Sequence, residues 1–312
     1  MIKHKIENKV NGILLLDKPL NVTSNGALQC VKRLFCAKKA GHTGSLDPLA
    51  TGMLPLCFGE ATKISQFLLE SDKYYRVTAK LGIRTTTGDA EGDVIEEHPV
   101  GDVTKANLME MLPNFMGLIE QIPPMYSAIK YQGKPLYKLA RQGIEIERQP
   151  RNVTIHSLEL EEFDTSTFKI FVHCTKGTYI RTLVDDIGLA LGCGAHVIEL
   201  RRTAVAPYQE TKMYSLAELE EILNKDGLLA LYDCLLPLET SIQAFPAIYL
   251  STAAAFYVRT GQPVMAPKIL TNGLVRLFSD DGQFIGIGEM LDDGRVTPKR
   301  LLNFSKKIAK AV

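Results

Sequence analysis

The sequence has no apolar run long enough to cross a membrane. Its longest early run, "ILLL", stops at Asp17 and is too short even for the apolar core of a signal peptide. A cytoplasmic protein with no membrane partner is therefore expected. Six cysteines are present (Cys30, Cys36, Cys57, Cys174, Cys193 and Cys234), with no CxxC pair among them. That excludes a small disulfide scaffold and reads as reduced thiols. Cys193 and His196 stand at C-x-x-H spacing with no second ligand pair nearby, so no metal is assigned. There is no Walker loop and no G-x-G-x-x-G behind a strand, which argues against nucleotide-triphosphate and dinucleotide chemistry. No cofactor is expected. Low-complexity runs and internal repeats are missing too, and charge of one sign is scarce, with a net charge of +1.

What remains is an ordinary globular composition, 46% hydrophobic and 23% charged over 312 residues, enough for one large domain and a small one. The charge is unevenly spread. From Ala247 onward there are nine Lys/Arg against five Asp/Glu, so a basic face is compatible with a near-neutral chain. A second cationic stretch, 130–151, carries Lys130, Lys134, Lys138, Arg141, Arg148 and Arg151, with Tyr131 and Tyr137 interleaved.

The periodicities alternate between strand and helix. "NGILLLDKP" reads as a buried strand ending in a turn, and "TSNGALQCVKRLF" as a helix capped by Thr23 or Ser24. "EATKISQFLLE" reads as a short helix. In "KYYRVTAKLG" the period of two puts Tyr75, Val77, Ala79 and Leu81 on one inward face. "TYIRTLVDDIGLALG" has a helical apolar stripe of Ile180, Leu183, Val184, Ile187 and Leu191, with Arg181 off it in the first turn. "NVTIHSLEL", "FKIFVHCTKG" and "AHVIELRRTAV" read as strands, and "SLAELEEIL" as a capped helix. Beyond Phe245–Pro246, one helix precedes short strands punctuated by Asn272-Gly273, Asp281-Gly282 and Asp293-Gly294. This order implies an α+β fold, with a mixed, mainly antiparallel sheet flanked by helices over 1–245 and a small, mostly β domain over 246–312.

One stretch is aperiodic. "GHTGSLDPLATG", residues 41–52, surrounds a single acid, Asp47, with Gly41, Gly44, Pro48 and Gly52. Pro48 biases Asp47 towards an extended backbone, and glycines permit close approach of another backbone. The loop can thus present one carboxylate rigidly, although Asp-Pro in a Gly-rich loop is by itself only a turn signal.

Taken in order, "GHTGSLDPLATGMLP", "GEATK", "KYYRV", "QIPPMYSAIKYQGKPLYKLAR" and "KGTYIRTLVDDIG…GCGAHVIELRRT" resemble the TruB family of bacterial tRNA pseudouridine-55 synthases. The resemblance runs from about Gly12 to Thr203, and the tail resembles that family's PUA-type RNA-binding module. It implies isomerisation of one uridine in the T arm of tRNA, with no cofactor, no metal and no protein partner, by a monomeric, stand-alone enzyme. It implies that Asp47 is the catalytic aspartate, Tyr75 the active-site tyrosine and Arg181 the arginine paired with the aspartate. Tyr179 and Leu200 match substrate-pocket positions, and His42 a histidine that packs in the disrupted T loop. Asp89 matches a retained acid of the substrate-binding set. The segment at about 124–152 matches an RNA-clasping insertion, in which Lys130, Lys134, Lys138 and Arg141 would contact phosphates, as would Lys18 and Lys63 elsewhere. In "LDKPLNVTS", Asn21 replaces the family's usual Gly, and Asn is the next-best residue for a left-handed turn. Thr86 stands where an Asp is common.

The chemistry suits these residues. The C1′–N1 glycosidic bond breaks, the base turns, and C1′ bonds to C5, with no change of redox state. A carboxylate can add to the sugar or base, or remove a sugar proton and return it. The Arg181 guanidinium would keep Asp47 ionised and hold it in its planar fork. A binding protein without catalysis would use the same surfaces but would not need the Asp47, Tyr75 and Arg181 set. A two-carboxylate glycosidase would need a second acid near Asp47, and none stands out.

Overall fold

The structure is a computed structural model and describes residues 10–266 and 272–303; part of the basic tail, including Lys306, Lys307 and Lys310, lies outside them. Strand β1 (Gly12–Lys18) leads into α1 (Ser24–Leu34), then β2 (Ala40–His42) and β3 (Ala50–Phe58). Next come α2 (Ser65–Glu70), β4 (Lys73–Leu81) and the hairpin of β5 (Ile83–Thr85) and β6 (Val94–Glu97). Helix α3 (Lys105–Met111) and β7 (Gly117–Gln121) precede a two-residue-strand hairpin, β8 (Lys130–Tyr131) and β9 (Lys134–Pro135), and α4 (Leu136–Ala140). The long hairpin β10 (Arg151–Asp164) and β11 (Thr167–Cys174) is followed by α5 (Ile180–Ala190), β12 (Ala195–Val205) and α6 (Leu216–Asp233). The last region holds β13 (Ala247–Leu250), α7 (Thr252–Arg259), β14 (Val264–Met265), β15 (Gly273–Ser279), β16 (Phe284–Met290) and β17 (Arg295–Leu301).

Eight strands form the main sheet in the order β1-β3-β12-β4-β11-β10-β7, with β2 pairing β3 off that path. Every pairing is antiparallel except β12 with β3. The α+β expectation therefore holds. Alternation explains the central strands: Lys73, Tyr75, Val77, Ala79 and Leu81 of β4 are buried, as are Phe168, Ile170, Val172 and Cys174 of β11. Their apolar face packs with α1 and α5 into one core. Thr23, not Ser24, caps α1, and Ser215 and Glu218 form a capping box on α6.

The expected helix over "EATKISQFLLE" divides into a 3₁₀ turn, Gly59–Lys63, and α2. Ile64 between them leaves helical geometry at φ −114° and ψ 4° and is fully buried, so packing outweighs continuity. The C-terminal end of α2 is held by Lys73, whose Nζ donates to the carbonyls of Leu68, Leu69 and Ser71.

A five-stranded sheet, β13-β15-β16-β17-β14, with α7 makes up the small module. Asp281-Gly282 and Asp293-Gly294 lie in its turns, whereas Gly273 already opens β15. A second core joins this module to the back of β1 and β3, with Met53, Cys57 and Ala61 clustered with Phe278, Phe284 and Ile287. Among the described residues no helix is long and apolar enough to cross a membrane.

Candidate active site

Asp47 sits where the loop after β2 turns into β3, and four side chains and turns fix its backbone. Ser24, at the start of α1, is buried and clamps the preceding residue both ways: its Oγ donates to the Leu46 carbonyl at 3.0 Å and accepts from the Leu46 N–H at 2.7 Å. Asn21 donates its N–H to the Pro48 carbonyl at 2.9 Å, and it does so at φ 61°, the left-handed turn expected of an Asn in place of Gly. Lys18 Nζ reaches the same carbonyl at 3.4 Å and those of Pro19 and Val22 at 2.8 and 2.7 Å. Arg202, on β12, donates to the carbonyls of Gly44 at 3.1 Å and Met53 at 2.7 Å. The acid is thus held rigid by side chains and backbone from β1, α1 and β12, more than by its own punctuation.

The side chain of Asp47 remains 41% exposed, while its partner Arg181 is 8% exposed and approaches through Nε at 3.0 Å. Arg181 is not a helix-surface residue. It lies under the loop in the first turn of α5, and its fork is not spent on Asp47. Nη1 donates to the Thr87 carbonyl at 2.7 Å and lies 3.4 Å from Asp89, and Nη2 donates to the Tyr126 carbonyl at 2.8 Å. The expected bidentate hold on Asp47 is therefore replaced by a single Nε approach from a guanidinium anchored elsewhere. Gly88 permits this packing: with φ +73°, an added Cβ would stand 3.2 Å from Arg181 Cβ. The net push on the Asp47 carboxyl is upward, because burial outweighs Arg181, with Asp89 adding to the rise and Lys18 opposing it.

Asp89 is not presented as a substrate-binding group. It is 2% exposed, and its carboxylate accepts from Thr87 Oγ1 at 2.5 Å and from the Glu91 N–H at 3.1 Å besides pairing with Arg181. Its geometry is that of a support for Arg181. Lys18, expected at a phosphate, is likewise fully buried, and burial lowers its pKa to about 8. Lys63 lies away from this cluster, donating to Glu60 at 2.7 Å and to the Leu301 carbonyl of the small module at 3.1 Å.

Tyr75 projects from β4 into the site, buried as the alternation required, with the Arg202 guanidinium beside its hydroxyl and the Asp47 carboxylate within electrostatic reach. Burial raises its phenol pKa. Leu200, two residues before Arg202 on β12, is also buried. Tyr179 is the N-cap of α5, with its backbone held by Gln121, which accepts its N–H at 2.9 Å and donates to its carbonyl at 3.2 Å. His42 ends β2, and its Nδ1 is buried without a hydrogen-bond partner. Burial, helped by Arg202, lowers its pKa, so the imidazole is neutral. Lys130, Lys134, Lys138 and Arg141 are all exposed around the β8–β9 hairpin and α4, with Arg141 over the Tyr137 ring at 5.6 Å.

Sequence reasoning missed Ser24, Gln121 and Arg202. Arg202 carried a signal, since alternation on β12 puts it on the face of Leu200. The backbone that approaches Gly52 closely is the protein's own: at φ +97°, an added Cβ would meet the Arg202 carbonyl oxygen at 2.2 Å. The buried cations Lys18 and Arg202 are held by carbonyl oxygens of the loop and its neighbours, so their charge is spent on fixing the backbone around Asp47.

Residues 32–180 match the TruB family pseudouridylate synthase N-terminal domain, residues 181–243 the tRNA pseudouridylate synthase B C-terminal domain, and residues 246–302 the pseudouridine synthase II TruB C-terminal domain. The chain is 58% identical over 293 residues to tRNA pseudouridine synthase B of Coxiella burnetii (strain RSA 493 / Nine Mile phase I), covering 94% of this chain and 95% of that protein. It is 55% identical over 298 residues to tRNA pseudouridine synthase B of Pseudomonas fluorescens (strain Pf0-1), covering 96% and 97%. Among solved structures, a chain of a Cbf5–Nop10–Gar1 complex superposes with a TM-score of 0.70 at 27% identity, covering 90% of this chain and 79% of that one. A chain of the archaeal box H/ACA sRNP Nop10–Cbf5 complex does so with a TM-score of 0.70 at 25% identity, covering 96% and 88%. With three consecutive family domains and relatives of this identity along almost its whole length, the chain belongs to the TruB family of pseudouridine synthases.

Proposed function

We propose that this synthase acts on tRNA and isomerises uridine 55 of the T arm, with Asp47 as the catalytic carboxylate. The observation that carries the reading is the Asp47 carboxylate itself: half open to an incoming base, immobilised through Ser24, Asn21, Lys18 and Arg202, and backed by Arg181. The names of the relatives support a tRNA substrate.

A uridine inside a folded loop must leave its stack, at a cost of a few kcal/mol, before a carboxylate can reach its sugar. Tyr75 offers the flipped base a flat face, and its raised phenol pKa keeps the hydroxyl protonated and able to donate. Leu200 and Tyr179 line the same pocket in this reading. The orphaned Nδ1 of neutral His42 is a polar group that substrate would satisfy. The C1′–N1 bond breaks, the base rotates over Tyr75, C1′–C5 forms, the C5 proton is lost and N1 gains one. Residues 1–245 would carry this chemistry and residues 246–312 would add RNA contacts, as would the insertion at about 124–152. The test is site-specific mapping of pseudouridine in a T-arm hairpin transcript. One modified position at the uridine equivalent to 55 is expected, and modification elsewhere, or none, would overturn the assignment.

The exposed cations of the insertion bear on affinity. Each phosphate that no longer meets a cation flattens the slope of log affinity against log salt by roughly 0.7–0.9, the lower figure for single strands. Replacing Lys130, Lys134, Lys138 and Arg141 together by Gln is expected to weaken tRNA binding and flatten that slope, with little change in single-turnover rate at saturating enzyme. An unchanged slope removes the insertion from the RNA interface.

A further inference from the structure

We propose that Asp72, His156 and His173 form a binding site for one divalent transition-metal ion of the zinc class. The three residues come from adjoining places on the sheet: Asp72 directly precedes β4, His173 lies on β11 and His156 on β10, and these strands are consecutive neighbours. On β11, His173 alternates with Val172 and Cys174, and it pairs with Tyr74 while Val172 pairs with Tyr75. The cluster therefore stands on the face of the sheet opposite the catalytic tyrosine.

A β-bulge brings the second imidazole in. Ile155 pairs Cys174 and Ser157 pairs His173, so His156 is the extra residue. A bulge re-aims side chains in this way. His156 Nε2 lies 3.3 Å and His173 Nε2 3.5 Å from the same Asp72 Oδ2, and all three ligand atoms lie within 4.8 Å of one another. Atoms bound at about 2.0–2.1 Å to a tetrahedral ion stand about 3.3 Å apart. The two edges to Asp72 match, and the imidazole–imidazole edge, within 4.8 Å, would close by rotation of the exposed His156 ring. The His173 ring is already oriented: it stacks on Tyr74 at 4.1 Å and 10°, and the Tyr74 hydroxyl accepts from Gln209 at 2.6 Å. His173 Nε2 is buried and has no polar partner besides its 3.5 Å approach to Asp72; in the tautomer that keeps the proton on Nδ1, it offers a lone pair to an ion.

The donor set selects the ion. Two imidazole nitrogens and one carboxylate oxygen suit zinc, cobalt, nickel or copper, whereas magnesium and calcium prefer shells of oxygen. Three protein ligands leave a further position for water at the exposed side. An ion there would tie three adjacent strands together behind the catalytic face.

The test uses the untagged full chain, stripped with chelator and titrated with Co²⁺ by visible absorption and with Zn²⁺ by calorimetry. One ion per chain is expected, with a nitrogen–oxygen ligand-field spectrum and no thiolate charge-transfer band. Excess magnesium should not compete, zinc should raise Tm, and single-turnover pseudouridine formation should be the same with and without the ion. Losing even a supporting partner of a metal ligand costs about 10–100-fold in affinity, so His156→Ala should weaken binding by at least about a hundredfold and abolish the Tm rise. His156 is exposed, so this variant keeps the core; Asp72→Asn provides a second, independent loss. Absence of saturable binding, equal binding by His156→Ala, or a thiolate spectrum would each overturn the proposal.

Discussion

Asp47→Asn is expected to lower the single-turnover rate of pseudouridine formation by about a thousandfold or more, while tRNA affinity and Tm stay close to wild type. Loss of a proton-transferring group costs about 10²–10⁴, and loss of a nucleophile more. Asn preserves the volume of Asp47, and the hydrogen bonds that fix its backbone come from Ser24, Asn21 and Arg202, none of which needs the carboxylate. Binding and folding should therefore survive. A pH profile adds a second readout. Burial, only partly opposed by Arg181, holds the Asp47 carboxyl above the usual carboxylate range. If the ionised form reacts, wild-type activity is full above that raised pKa and falls as pH drops through it. Its acid limb should then lie at higher pH than an unperturbed aspartate would give. An Asn variant turning over near the wild-type rate would take the catalytic role away from Asp47. A wild-type rate flat through the acid limb would mean that its ionised form is not required.

Much of this site was legible because its key side chains obey local rules. Period-two alternation sends Tyr75 into the core from the sequence alone. The left-handed turn at Asn21 and the pairing of Arg181 with Asp47 came from the family resemblance, and both are present in the structure. The fold class followed from the order of alternating and helical stretches. Illegible were the contacts that depend on where separate segments meet. Lys18 was expected at a phosphate, and only folding brings three carbonyls around it. Ser24 competes with Thr23 for the same cap in sequence, yet it closes onto Leu46 because α1 packs beside the loop. Asp89 is an exposed-looking acid in a Gly-rich turn, and its burial against Arg181 requires the β5–β6 hairpin to fold over α5. The bulge at His156 leaves no mark in the strand pattern beyond one shift of phase.

Arg181 carries the other large effect, and its partners set what each substitution should do. Arg181→Lys keeps the charge but cannot reach Asp47, Asp89, Thr87 and Tyr126 together, since one ammonium replaces a fork and an Nε. A hydrogen bond to a charged group contributes about 1.5–3 kcal/mol, and each factor of ten in rate corresponds to about 1.36 kcal/mol. If the lysine keeps its ion pair with buried Asp89, Asp47 loses its anchor, and single-turnover rate should fall about ten- to a hundredfold. Arg181→Met should be worse on two counts. It strands Asp89 at 2% exposure with no cation, and removing one partner of a buried pair costs about 3–5 kcal/mol of stability. It also leaves Asp47 more inclined to protonate. The two effects separate in the double variant Arg181→Met/Asp89→Asn. Neutralising Asp89 should restore most of the Tm, because the uncompensated buried charge is gone, yet the rate should stay low, because the Asp47 carboxylate then has no cation to orient it. If activity returns along with Tm, Arg181 supports only the fold. If Arg181→Lys matches wild type, the Nε approach to Asp47 has no part in the reaction.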